Sequence, residues 1–415
     1  MSTKEFLRSL IPNNLVNAFW HLPKAVFASL VYGFPGKKLK IIGVTGTDGK
    51  TTTATLIYHI LSQTGKKAAL ISTVSARLGK KEIDIGFHVT TPNPFDLQKL
   101  LKKILKKDYK YLVLESTSHG FAQYRLWGID FLAGVVTNIT EDHFLYHKNW
   151  DNYARAKAKL FRNTKYSILN IEDKSYSFLK TKASGKIITY GLKKGDFNLK
   201  NFKFETRLPG NFNKLNCLAA ASAAQALGIG KETVKKALAD FPGVKGRMEV
   251  MQQKPFKVIV DFAHTPNALN QALKTLRKKV GRKGRLISVF GCAGLRDKNR
   301  RKMGMVSAQL ADITVITAED PRTEGVEKIS EEIAFWAKKG RGKFVKIPDR
   351  GKAIEFAIKI AKKGDVVGIF GKGHERSMCF GAIEKPWSDQ EAIKKILRGA
   401  GLVKKLKNSK MKMKS

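Results

Sequence analysis

The residues from Gly46 to Thr52, within "KIIGVTGTDGKTTT" (Lys40 to Thr53), have the types needed to hold a phosphate. Gly46 and Gly49 let the backbone approach an oxyanion closely, Lys50 brings a charge for the β- and γ-phosphates, and the Thr51 hydroxyl can ligate Mg2+. Thr47, Asp48 and Thr52 complete the loop. The spacing departs from the usual G-x-x-x-x-G-K-[ST] pattern, whose first glycine would fall on Val44. A metal bridging phosphates also needs hard partners from elsewhere in the chain. "YLVLESTSHG" ends an apolar run in Glu115, and "TNITEDHFLYH" places Glu141, Asp142 and His143 after another. Taken singly, these are a glycine turn, a solvated strand end and a helix start. Two polar clusters closing apolar runs beside such a loop point together to a nucleotide site.

These residues need a scaffold that ends several strands at one edge. "LKIIGVTG" reads as a buried strand, "TTTATLIYHILSQTG" as a helix closed by Gly65, and "KAALIST", "YLVLEST" and "AGVVTNI" as further strands. Short buried strands alternating with helices predict an α/β fold with a mostly parallel sheet covered on both faces. A loop between such a strand and a helix N-terminus gains free N–H groups and the positive end of the helix dipole. A second set of strands, "FKVIVDF", "RLISVFG", "ITVITAED" and "DVVGIFG", follows turn signals at Pro242, Gly243 and Gly246. The expected organisation is an apolar helical leader over 1–37, a central P-loop-type domain over 38–244, a smaller Rossmann-like α/β domain over 245–400 and a disordered basic tail over 401–415. The leader is expected to break at Pro23 and to end at Pro35-Gly36.

Composition narrows the function classes. The 415 residues carry a formal net charge of +44, which favours anionic partners. The lysines are spread along the chain and no nucleic-acid-binding signature accompanies them, so specific nucleic-acid binding is not expected. No apolar run reaches transmembrane length, and the N-terminus lacks the pattern of a signal peptide. Cys217, Cys292 and Cys379 are too scattered for a metal or disulfide framework. The expectation is a cytoplasmic monomer, with weak peripheral membrane contact through the apolar leader.

The motifs "GVTGTDGKTTT", "LESTSHGFAQYR", "TNITEDHFLYHKNWDNYARAKAKLF", "LPGNFNKLNCLAA", "GRMEV", "DFAHTPNAL", "VFGCAGLRDKNRR", "AEDPRTEG" and "GKGHE" occur in this order. From about residue 40 to 395 the chain resembles the Mur ligases, and within them the branch adding the third amino acid of the peptidoglycan stem. That family's phosphate loop has the form G-T-x-G-K-[ST], which accounts for the spacing at Val44. The resemblance implies an ATP-dependent amide-bond ligase that activates a carboxylate as an acyl phosphate. It implies two Mg2+ ions held by Thr51, Glu115, His143 and a Lys157 carbamylated by CO2. By the residues alone, Lys157 reads as an exposed helical lysine.

The same resemblance assigns ATP contacts to Asn213, Asn216, Arg247, Asp261 and His264, and catalytic weight to Lys50, His143, Lys157 and Arg247. For the two asparagines, helix capping after Pro209-Gly210 is the plain alternative. Thr90, Thr91, Thr117, Gln123 and Arg125 are implied to hold the muramoyl-peptide acceptor, with Thr117 standing where the family usually has Ser. Arg296, Glu319, Asp320, Arg322, Gly371 and Glu375 are implied to hold the incoming amino acid. Arg322, in "EDPR" where diaminopimelate-adding relatives have D-N-P-R, suits bidentate recognition of a distal carboxylate. Asp320 in place of Asn adds a negative charge that calls for Arg322 or Arg296 to offset it. Residues 1–37 are shorter than the UDP-gripping domain that usually precedes this loop. The expected activity is addition of meso-2,6-diaminopimelate to UDP-N-acetylmuramoyl-L-alanyl-D-glutamate. Lysine-adding, pseudomurein-type and folate-glutamate-type ligases, and a non-catalytic nucleotide-binding partner, stand as alternatives.

Overall fold

A computed structural model of the chain describes residues 12–79, 81–83 and 90–400. The basic tail expected over 401–415 lies outside these residues. Contacts divide the chain into two compact units between Val244 and Lys245.

The first unit is built on an eight-stranded sheet. Its strands are β1 (Lys40–Thr45), β2 (Ala68–Ile71), β3 (Ala76–Leu78), β4 (Lys81–Ile83), β5 (Tyr111–Glu115), β6 (Phe131–Val136), β7 (Tyr166–Asn170) and β8 (Lys186–Tyr190), in the order β4-β3-β2-β5-β1-β6-β7-β8. All neighbours run parallel except the edge pairs β2–β3 and β3–β4. β1 is central, with Val44 opposite Glu115 and Thr45 opposite Val136. This register brings the loops after β1, β5 and β6 to one edge, where open α/β sheets bind ligands. Apolar residues of β1, β5 and β6 are wholly buried, with the Lys50–Gln63 and Asn211–Ala226 helices among the elements covering one face. The Ala-rich stretch Ala219–Ala224 keeps the second helix thin enough to lie close against its neighbours.

The second unit holds a six-stranded sheet of β9 (Glu249–Gln252), β10 (Lys257–Asp261), β11 (Leu286–Phe290), β12 (Ile313–Ile316), β13 (Phe344–Lys346) and β14 (Val366–Phe370), ordered β13-β12-β11-β14-β10-β9. Only β9 is antiparallel to its neighbour. A separate hairpin pairs β15 (Ser377–Phe380) with β16 (Ile383–Pro386). The short polar or edge strands β3, β4, β9, β13, β15 and β16 are not among the sequence-predicted strands, since their mixed patterns lack an apolar run.

The leader departs from expectation. A helical run from Asn13 continues through Pro23 to Tyr32, because a π-turn at Asn17–His21 sits just before the proline. Pro23 then occupies the first turn of the Leu22–Tyr32 helix, where its missing N–H costs little. Gly33 at φ 70 ends the helix before Pro35 is reached. Ala25, Ala28 and Ser29 face inward, while Phe19, Trp20, Phe27, Leu30 and Val31 are exposed. Among the described residues no helix is long and apolar enough to cross a membrane.

Candidate functional site

The loop after β1 has a shape that only glycine permits at two points. Gly46 has φ +150, and a Cβ there would lie 1.8 Å from Thr137 Oγ1. Gly49 has φ +83, and a Cβ there would lie 2.4 Å from Asn216 Oδ1. Gly49 is also the N-cap of the Lys50–Gln63 helix and offers it no side-chain oxygen. The helix therefore presents its first turn, and the positive end of its dipole, to an anion. The loop is pinned from β6: Thr47 N donates to Asn138 O at 2.8 Å, Asp48 N to Asn138 Oδ1 at 3.0 Å, and Thr137 Oγ1 to Asp48 O at 2.6 Å. Lys50 Nζ folds back to donate to Thr47 O at 2.8 Å. Thr137 and Asn138 escaped the sequence reading, because a Thr-Asn pair closing a strand has no chemical signature of its own.

Glu115 is only 1% exposed, so it is not a solvated strand end. Its Oε1 accepts from Thr51 Oγ1 at 3.1 Å and its Oε2 from Thr73 N at 2.9 Å. A hydroxyl and a buried carboxylate side by side are hard oxygen donors that fit Mg2+. Among the described residues no group of three or more His, Cys, Asp or Glu could hold a metal ion. A divalent ion at Thr51 and Glu115 would therefore draw most of its shell from phosphate oxygens and water, as Mg2+ at nucleotides does. His143, at φ 58, has its Nε2 3.2 Å from Asp142 Oδ2 and packs edge-on against His119 at 4.9 Å between ring centroids. Glu141 is exposed.

Lys157 overturns the reading of an exposed helical lysine. It is 1% exposed on the Trp150–Ala158 helix, whose inner face includes Tyr153, Ala154 and Ala158. Its Nζ donates to Gly46 O at 2.5 Å and lies 4.5 Å from the Tyr153 ring centroid. Burial, and next the charge of Lys50, hold its pKa well below the ordinary lysine value, against the pull of Asp142, Asp48 and Glu115. Burial that lowers a lysine's pKa favours loss of its proton, the form in which the nitrogen is nucleophilic.

Asn213 and Asn216 lie buried on the Asn211–Ala226 helix, whose N-cap is Gly210 rather than either asparagine. Asn216 Oδ1 accepts from Thr53 Oγ1 at 3.3 Å and its Nδ2 donates to Asn213 Oδ1 at 3.1 Å, tying this helix to the start of the phosphate-loop helix.

Four of the five acceptor candidates, Thr91, Thr117, Gln123 and Arg125, form one network, and Thr90 pairs with Thr73. Thr90 Oγ1 accepts from Thr73 Oγ1 at 2.9 Å, and the Thr91 and Thr117 hydroxyls are 3.0 Å apart. Thr117 caps the Ser118–Ala122 helix through Gly120 N. The Arg125 guanidinium donates to Thr91 O at 2.8 Å and to Gln123 Oε1 at 3.0 and 2.6 Å. Both of these partners are neutral, and burial lowers its pKa. A half-buried arginine held by neutral groups suits a carboxylate that arrives with the substrate.

In the second unit, Arg247 stacks over the Phe262 ring at 4.2 Å. Asp261 accepts from Met248 N at 2.7 Å and Ala263 N at 2.8 Å, and so shapes the turns flanking Arg247 and Phe262. His264 Nδ1 lies 2.8 Å from Phe262 O. The amino-acid candidates sit on three segments stapled together. Gly294 N donates to Asp320 O at 2.8 Å, Arg322 N donates to Cys379 O at 3.0 Å, and Gly381 N to Arg322 O at 2.8 Å. Arg296 is exposed on the loop beginning at Gly294. Lys372, 1% exposed, bridges Asp320 at 2.7 Å and Glu375 at 2.6 Å, and so meets the charge of Asp320. Sequence reasoning missed Lys372, although it lies inside "GKGHE". Glu319 is buried, and desolvation pushes its carboxyl up to about 7 against the attraction of Lys372. Gly371, at φ +106, leaves room for it, since a Cβ there would lie 2.8 Å from Glu319 Oε2.

With this geometry in place, comparison with known proteins decides the lineage. Residues 44–224 match the Mur ligase middle domain and residues 246–373 the Mur ligase glutamate ligase domain. The chain belongs to the Mur ligase family. It is 36% identical over 397 residues to a UDP-N-acetylmuramoyl-L-alanyl-D-glutamate–2,6-diaminopimelate ligase of Clostridium botulinum, covering 90% of this chain and 81% of that one. The Aquifex aeolicus protein of the same name is 39% identical, covering 90% and 80%. A solved structure of a ligase of that name superposes with a TM-score of 0.61 at 30% identity, covering 93% of this chain and 83% of the other. A pseudomurein peptide ligase from Methanothermus fervidus, at 18% identity and a TM-score of 0.64, shares the fold.

Proposed function

We propose that this Mur ligase joins the amine of meso-2,6-diaminopimelate to the D-Glu carboxylate of UDP-N-acetylmuramoyl-L-alanyl-D-glutamate, using ATP. The reading rests on one observation above all: the phosphate loop, the buried Glu115 and the buried Lys157 amine converge at one sheet edge. The 38–244 unit holds the triphosphate on the amides after Gly46 and on Lys50. In the 245–400 unit, Arg247 is the candidate cation for an ATP phosphate. Arg125, with Gln123 and Thr91 behind it, orients the acceptor carboxylate. That carboxylate attacks the γ-phosphorus, the bond to the β-phosphate oxygen breaks, and ADP leaves with its electron pair. The amine then attacks the acyl carbon, loses a proton, and inorganic phosphate departs. Mg2+, when bound at Thr51 and Glu115, supplies charge neutralisation at the β- and γ-phosphates.

Lys157 fits carbamylation. Its neutral nitrogen bonds to the carbon of CO2 and releases a proton, which turns a buried amine into an anionic oxygen ligand for a second ion, with His143 on the same side. On the amine side, Arg322 receives the distal carboxylate, while Glu375 and Asp320, held by Lys372, face the distal ammonium. The test is phosphate release from ATP with the UDP-linked dipeptide and either diaminopimelate or lysine. Release with diaminopimelate and little with lysine is expected. No release with either amine would sink the proposal, and release with lysine alone would overturn the amine assignment.

A further inference from the structure

A cleft of about 710 Å3 opens in the first unit, between the leader and the Trp150–Ala158 helix. That size lies within the range of small-ligand sites. Five cations line it: Lys148, Arg155, Lys159, Arg162 and Lys182. No carboxylate is among the lining residues, and none of the five is ion-paired among the described residues. Asn13 and Asn17 form part of the wall, and their amides donate to Tyr146 O and Tyr146 Oη at 3.4 and 3.2 Å. The cleft also borders Ala122 and Tyr124, on the turn that carries Gln123 and Arg125.

Five like charges converging on a concave surface repel one another unless an anion joins them. Lys159 packs 4.8 Å from the Tyr124 ring centroid. Lys148, Arg155, Arg162 and Lys182 are exposed and Lys159 is half-buried. They surround a cavity walled partly by aromatic rings, Tyr124, Tyr146 and Phe178, which suits a ligand that is anionic at one part and flat or apolar at another.

We infer that this cleft binds a diphosphate ester, and that it grips the phosphate-bearing end of the acceptor whose carboxylate end lies at Arg125. The inference rests on the acceptor reading above for its second half only. Two sources share this chemistry, a nucleoside diphosphate and a lipid diphosphate, and both must be probed.

The full chain is titrated calorimetrically with UDP, farnesyl diphosphate and uridine, at low and at physiological salt. The same titrations are run on the double charge reversal Arg155→Glu/Lys182→Glu, whose two exposed side chains lie outside the phosphate loop and the Arg125 network. UDP or farnesyl diphosphate is expected to lose at least about tenfold in affinity in the variant, with ATP affinity unchanged and uridine weak in both. Tighter binding of UDP assigns the cleft to a nucleotide-linked acceptor, and tighter binding of farnesyl diphosphate to a lipid-linked one. Equal affinity in wild type and variant, uridine binding as tightly as UDP, or a short oligonucleotide displacing both diphosphates would overturn the inference. If diphosphate binding depends on the cleft but no ligation occurs, the ligase proposal fails while the site stands. Ligation that proceeds with an unchanged acceptor KM in the variant removes the cleft and leaves the ligase proposal intact.

Discussion

Replacing Lys157 by Met tests the chemistry at its most exposed assumption. A lysine with the ordinary pKa of about 10.4 is neutral in roughly one molecule in 2,500 at pH 7, so CO2 would seldom find a reactive amine. Lys157 is 1% exposed and burial drives its pKa well below the ordinary value, so its neutral fraction rises. Wild-type protein equilibrated with 13C-bicarbonate should then show a carbamate carbon by NMR, and Lys157→Met should lack it. The variant should lose about 100-fold or more in kcat, the scale on which losing a group that supports a metal costs activity. Small carboxylates added at high concentration should restore part of it. Stability offers an independent reading. The folded-state pKa lies below the unfolded value, so the unfolded chain binds the extra proton between the two. Under CO2-free conditions wild-type stability should therefore climb with pH across that window, toward about 1.4 kcal/mol per unit from this site, and Lys157→Met should lose that slope. A wild-type protein without a carbamate signal and fully active in CO2-stripped buffer would refute the reasoning.

Three further outcomes follow from the structure. Arg322→Ala should raise the KM for diaminopimelate at least about tenfold while leaving the ATP KM and lysine use nearly unchanged, as steady-state kinetics with both amines would show. Asp389→Asn should destabilise the second unit by about 3–5 kcal/mol in urea unfolding, because Arg350, 1% exposed on its side chain, would keep its charge and lose a bidentate partner now at 2.7 Å. His147 is pushed down to about 3 by burial and then by His119, so it stays neutral in the folded chain while the unfolded chain protonates near 6.5. Stability should therefore fall as pH drops from about 6.5 toward 3, and His147→Gln should flatten that part of the profile.

Much of the fold was legible because its central strands are apolar runs buried on both faces, and such runs need no tertiary knowledge to find. β1, β5, β10, β11 and β14 fall within the stretches read as strands, and β6 starts two residues before its stretch. Edge strands and the β15–β16 hairpin were not legible, because pairing and solvent contact on one side relax the demand for apolar residues. Pro23 was misread as a break because a π-turn, which absorbs the proline's missing donor, is set by packing rather than by local pattern.

By itself, the sequence determined which chemical groups are available and roughly where. Glycines, Lys50 and Thr51 open a helix, Glu115 closes a strand, and Arg322 follows a proline in "EDPR". Only the tertiary structure decided what charge and company those groups keep. Whether Lys157 is a solvated ammonium or a buried amine depends on which helix face packs inward, and that in turn on Tyr153, Ala154 and the loop carbonyl of Gly46. Whether Asp320 repels or assists a substrate depends on Lys372, 52 residues away in the chain and 2.7 Å away in space. Charge states follow solvation and neighbours, and both are properties of packing that a linear order does not contain.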